Sequence, residues 1–155
     1  MKPPTVLIVD SNPEDLAKYA GILEEARYTV LQAAGYTEAA AILARHRGRL
    51  VVLSSLSDGN ESGHRFLVDT LKKYPFLPFT FTATAPPLES ALGALRQGAY
   101  DFLRKPIPTD ILLHSVARSA QKLTLALETE KQEKEIRKLF DRSQGELKDA
   151  PKGNR

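Results

Sequence analysis

Four short stretches place polar side chains where apolar runs of strand length stop: Asp10-Ser11, Ser54-Ser55, Thr82-Ala83-Thr84 and Lys105. Together they offer one carboxylate, one ammonium and a set of hydroxyls. A carboxylate and an ammonium at one edge can pair directly, whereas a hydroxyl is a poor ligand for a hard dication compared with a carboxylate. Other reactive chemistry is sparse. The chain has no cysteine, which removes thiol nucleophiles, disulfides, thiolate zinc sites and iron–sulfur clusters. His46, His64 and His114 share no metal-ligand spacing and fall on three different predicted helices, as surface histidines do. Arg45-His-Arg-Gly-Arg49 is a small basic cluster at a predicted helix end, where cations suit the dipole.

The elements that must position these groups alternate. Thr5–Val9 is a β-branched strand ending at Asp10, and Ser11, Asn12 and Pro13 supply turn and helix-start chemistry. From Glu14, Leu16, Tyr19, Ala20 and Leu23 fall on one helical face. A second strand is expected around Tyr28–Ala33, then a helix capped by Thr37 that buries Ala39, Ile42 and Leu43. Leu50–Leu53 reads as a strand, Ser54–Gly63 as a polar loop, and His64 onward as a helix that Pro75 stops. Pro78–Thr82 alternates like a strand, Leu88–Arg96 is a short helix closed by Gly98, and Ala99–Leu103 is a fifth strand. A last helix starts at Thr109 or Asp110 and presents Leu112, Leu113, Val116, Ala117 and Ala120. Such alternation predicts an α/β fold, a doubly wound parallel sheet with right-handed crossovers. In these sheets the site lies at the carboxyl ends of the strands, which selects the four stretches above.

Past Lys122 the pattern changes. Leu123–Phe140 lacks Gly and Pro and sets opposite charges three or four apart, but its apolar positions are interrupted from Glu128 to Glu135. The expected organisation is a domain over 5–122, a helical extension or short coiled coil over 123–145, and a disordered tail over 146–155. The 155 residues carry 22 basic and 19 acidic groups, of which residues 1–122 hold 14 and 12 and residues 123–155 hold 8 and 7. Neither part is a concentrated basic footprint, so no direct nucleic-acid partner is expected. No apolar run reaches membrane-spanning length and the start lacks a signal-peptide pattern, so a cytoplasmic location with no membrane partner is expected.

Two segments, Val6-Leu-Ile-Val-Asp10 and Gly98-Ala-Tyr-Asp-Phe-Leu-Arg-Lys-Pro106, make residues 5 to about 122 resemble the receiver domain of two-component response regulators, the CheY-like superfamily. The resemblance implies a (βα)5 five-stranded sheet with flavodoxin-like strand order 2-1-3-4-5. It also implies a chemistry. In that family an Asp at the end of the third strand takes a phosphoryl group from a partner kinase's phosphohistidine. Two acidic residues after the first strand hold magnesium, and a Ser or Thr after the fourth strand and a Lys after the fifth bind the phosphoryl oxygens.

Carried over residue by residue, this pattern is incomplete. The acidic pair is Asp10-Ser11, with a hydroxyl in the second place. Counting back eight residues from Gly63 puts Ser55 at the phosphoacceptor position. Counting back 22 from Lys105 puts Ala83 at the phosphate-binding hydroxyl, flanked by Thr82 and Thr84. Lys105 is in place, Phe102 occupies the switch-aromatic position, and Pro106 is a cis-peptide candidate. Asp58, considered as a displaced acceptor, precedes Gly59 as ordinary turn chemistry. The family's usual interaction face corresponds here to Leu92, Leu95, Arg96, Tyr100, Asp101, Arg104, Asp110 and Arg118.

The resulting expectation is a pseudo-receiver: not an enzyme, lacking the phosphoacceptor Asp, and acting as a phosphorylation-independent interaction or dimerisation module. Its partner would be a histidine kinase, an output domain or a second receiver, with a homodimer expected. No cofactor is expected, Asp10 being the one candidate metal ligand. The alternative is a functional phosphoacceptor receiver that uses a non-standard acceptor and magnesium.

Overall fold

The computed structural model describes residues 3–46, 48–56 and 62–149, with side chains described as far as 145. Its elements are β1 (Thr5–Val9), α1 (Pro13–Glu25), β2 (Thr29–Ala33), α2 (Tyr36–Arg45), β3 (Leu50–Ser55), α3 (Ser62–Lys73), β4 (Phe79–Thr84), α4 (Leu88–Arg96), β5 (Asp101–Lys105) and α5 (Thr109–Asp149). The strands form one parallel sheet in the order β2-β1-β3-β4-β5. β1 is an interior strand, and its run Val6 to Val9 is buried on both faces, at no more than 2% exposure.

On one face Leu7, Val9, Val52, Phe79 and Phe81 pack with Ala39, Ile42 and Leu43 of α2, Phe66 and Leu67 of α3, and Ala94 of α4. Alternation sends Val6, Ile8, Val51, Leu53 and Leu103 to the other face. The Tyr19 hydroxyl of α1 accepts from the Ile107 N–H at 3.2 Å, and Ser115 of α5 donates to Asp101 at 3.0 Å.

Several boundaries differ from expectation. β3 and β4 run on to Ser55 and Thr84, so the serine and threonine candidates end strands and do not follow them. β5 starts at Asp101, because Gly98 and Ala99 are still closing α4: Gly98 N–H donates to Leu95 O at 3.2 Å and Ala99 N–H to Ala94 O at 3.0 Å. α2 begins at Tyr36 behind a Gly35 cap, which puts Thr37 inside the helix. The Glu38 carboxylate reaches back to the Ala34 N–H at 3.0 Å.

The chain divides into one unit ending at Leu123 and another starting at Thr124. Leu123, expected at the head of the extension, is only 4% exposed and closes the first unit. The tail expected from 146 is helical as far as Asp149, since Gly145 alone costs a helix about 1 kcal/mol and good helix formers follow it. Residues 150–155 lie outside the described residues. Among those described, no helix is long and apolar enough to cross a membrane.

Candidate functional site

Parallel register lines up the carboxyl ends of the strands: Val9 lies beside Ser54, Ser55 beside Thr82, and Thr84 beside Lys105. Register neighbours share a face, so Ser55, Thr82, Thr84 and Lys105 lie on one side of the sheet and Ser54 and Ala83 on the other. Ala83, the position counted from Lys105, is packed in the α2–α4 core. Thr82 is buried and Thr84 exposed.

Asp10 follows β1 and is 4% exposed. Its Oδ1 accepts the Asn12 N–H at 2.9 Å, which turns the chain out of the strand. Asn12 then caps α1, its Oδ1 accepting from Glu14 N–H at 2.9 Å and Asp15 N–H at 3.2 Å, with Pro13 preset for the first helical turn. This local chemistry brings Asp15 back over the end of β1. Lys105, the last residue of β5, reaches both acids: its Nζ donates to Asp10 Oδ2 at 2.6 Å and to Asp15 Oδ2 at 2.8 Å. The Lys105 side chain is 9% exposed and that of Asp15 29%. Burial pulls the Lys105 ammonium toward deprotonation, but hydrogen bonds and charge from Asp10 and Asp15 together outweigh it, and its pKa lies above that of a free lysine. The cluster holds two negative charges and one positive. The remaining negative charge sits at the N-terminus of α1, where the helix dipole favours it. The Lys105–Pro106 peptide bond is cis.

Beside this cluster Val9, Asp10, Ser11, Ala34, Gly35, Tyr36 and Ser55 line a cavity of about 60 Å³, room for a few waters. The Tyr36 hydroxyl donates to the Ser55 carbonyl at 2.8 Å, and its ring stacks on Phe66 with centroids 5.0 Å apart. The close approach of α3 depends on Gly63, where a Cβ would lie 2.5 Å from Leu56 Cδ1 and 2.9 Å from the Tyr36 hydroxyl oxygen.

Asp10, Ser11 and Ser55 therefore meet around one cavity, with Lys105 bound to Asp10. Asp58 lies outside the described residues. Asp15 and Tyr36 were not singled out from sequence. Asp15 could have been found as an acid in the first turn of a helix entered from the carboxyl end of β1.

On α4, β5 and α5 a second group assembles. The Tyr100 ring has Lys122 Nζ 4.5 Å and the Arg118 guanidinium 5.5 Å from its centroid. Arg118 also lies 3.9 Å from Asp101. Leu88, Leu92 and Leu95 form an exposed stripe on α4 at 73%, 38% and 44%. Arg96, Arg104 and Asp110 are exposed. Phe102 is half-buried, its ring 6.2 Å from that of Phe81.

No family model matches the chain. It is 33% identical over 135 residues to the nitrogen assimilation regulatory protein NtrX of Azorhizobium caulinodans, an alignment that takes in 86% of this chain and 28% of that protein. It is 31% identical over 117 residues to a putative response regulator NtrX-like protein of Rickettsia bellii, covering 75% of this chain and 24% of that protein. The chain thus spans about a quarter of the length of these curated relatives. Among solved structures, the receiver domain of NtrX from Brucella abortus superposes with a TM-score of 0.67 at 29% identity, covering 75% of this chain and 98% of that domain. With the strand order, the β1 and β5 segments and these relatives in agreement, the chain belongs to the CheY-like superfamily of response-regulator receiver domains.

Proposed function

We propose that this receiver domain works as a pseudo-receiver, a protein-interaction module that carries no phosphoryl group of its own. One observation carries the reading: the Asp10 carboxylate is already neutralised by Lys105, while a serine ends β3. A serine hydroxyl cannot form the acyl phosphate that makes an aspartyl receiver reactive. With Lys105 held on the acids, the donors left do not fit magnesium either. Asp10 Oδ2 is bonded to the Lys105 ammonium and Oδ1 to the Asn12 N–H. The neighbouring residue is a hydroxyl, whereas magnesium is held by carboxylates in near-octahedral geometry. No magnesium-dependent step is assigned, and the domain is not assigned an enzymatic activity.

The interaction surface is the α4–β5–α5 face, with a second copy of the chain as its first partner. Its leucine stripe on α4, flanked by Arg96, Arg104, Asp101, Asp110 and Arg118, combines apolar area with both signs of charge, which suits a two-fold contact. A kinase or an output domain would use the same face in a cytoplasmic setting.

The test is incubation of the full chain with acetyl phosphate and magnesium, followed by intact-mass spectrometry. No added phosphoryl mass is expected; an acid-labile gain of about 80 Da would establish the functional-receiver alternative and overturn this reading. Light scattering reports the second part: a mass of two chains is expected, and Leu92→Asp should return it to one.

A further inference from the structure

We propose that Lys105 is the resident cation of the pocket, doing permanently for Asp10 and Asp15 what a bound divalent ion would do reversibly. This deepens the pseudo-receiver reading and rests on it. The geometry shows one cation held between two acids. Two carboxylate oxygens from different elements, Asp10 Oδ2 after β1 and Asp15 Oδ2 in α1, converge on one nitrogen at 2.6 and 2.8 Å. That nitrogen belongs to the end of β5, in a side chain left 9% exposed. Direct charge-assisted hydrogen bonds of this length leave no water between ammonium and acids.

The inference follows from charge and space together. Asp10 and Asp15 without Lys105 would be two like charges within reach of one cation, one of them only 4% exposed. Like-charged carboxylates so placed demand a positive partner. With the ammonium present, an entering dication would meet a fixed positive charge and would have to displace the lysine from both acids. A tethered cation cannot diffuse away, so the two acids keep their shared counter-ion at any ionic composition.

The same side chain is also a brace. Lys105 joins α1 to the end of β5, and two residues later the Ile107 N–H donates to Tyr19 of α1 at 3.2 Å, so α1 holds the β5–α5 turn at two heights. A metal would need the same carboxylates but could not supply that covalent link to β5. The wild-type pocket is thus predicted to be indifferent to magnesium and manganese, and removal of the ammonium to expose a divalent site built from the same two acids.

The experiment compares the full chain with Lys105→Met and Lys105→Ala, two replacements chosen so that the packing of one side chain does not decide the result. Thermal melting is followed in MgCl2 and in NaCl of equal ionic strength, and manganese uptake is read from loss of the free-ion electron paramagnetic resonance signal. The wild-type chain is expected to melt at the same temperature in both salts and to leave manganese free. The variants are expected to melt lower in sodium, to recover several degrees in magnesium, and to take up one manganese per chain, because a ligand bound only to the folded state raises its stability. A variant unfolded in sodium that refolds with magnesium supports the proposal equally. Wild-type uptake of manganese overturns it, as do variants that stay unfolded in magnesium or fold without binding manganese. Metal uptake by the wild type without an acyl phosphate would remove the resident cation and leave the pseudo-receiver standing.

Discussion

Asp10 is charged, nearly inaccessible to water and held by a single ammonium, so position 105 should tolerate substitution badly. Removing one partner of a buried pair leaves the other uncompensated, and Lys105→Met is expected to lower folding stability by about 3 kcal/mol in urea titrations. The pH dependence has a definite sign. Because the folded chain raises the Lys105 pKa, it binds that proton more tightly than the unfolded chain does. The contribution is complete below the unfolded value of about 10.4 and is lost as pH rises through the folded pKa. Wild-type stability should therefore fall more steeply with alkaline pH than that of Lys105→Met; parallel curves would count against the pairing. The approach of Asp10 to Lys105 was legible in the sequence, since both stand at the carboxyl ends of strands. The part played by Asp15 was not, because α1 carries two first-turn acids, Glu14 and Asp15, and only the fold shows which of them faces Lys105.

At the scale of elements, two helices end in the same way on different residues. After α1, Arg27 N–H donates to Glu24 O at 2.9 Å and Tyr28 N–H to Leu23 O at 3.0 Å, with Arg27 at φ 72. After α4, Gly98 and Ala99 make the equivalent bonds, with Gly98 at φ 113. Both are Schellman closures, which favour glycine in the left-handed position. Gly98→Ala should cost about 2 kcal/mol, from the left-handed backbone and from a Cβ placed 2.7 Å from Leu71 Cδ1. Arg27→Gly should gain about 0.5 kcal/mol, the relief of backbone strain less the added freedom of the unfolded chain. Chemical denaturation of both variants checks the pair. The same caps explain what sequence reading resolved. Strand–helix alternation follows from apolar period and the strand order from the receiver resemblance, whereas β5 was expected two residues early because Ala99 fits a strand by residue type while its N–H is committed to α4.

At the scale of the whole molecule, the unit ending at Leu123 has its own core, while Leu125, Ile136, Leu139 and Phe140 are each at least 60% exposed. A chain ended at Leu123 should keep the melting temperature of the full chain by circular dichroism. A peptide of residues 124–149 should be largely unfolded alone, since isolated helices gain little without packing. The Lys105 brace also has a meaning in time. Asp10 and Asp15 are synthesised 95 and 90 residues ahead of their counter-ion, and β1 takes an interior place in the sheet while β5 closes one edge. On the ribosome, β1 can gather β2 and β3 around it while its acids remain unneutralised. The pocket is completed only when Lys105 emerges, so the last strand to be translated delivers the charge on which the first one depends.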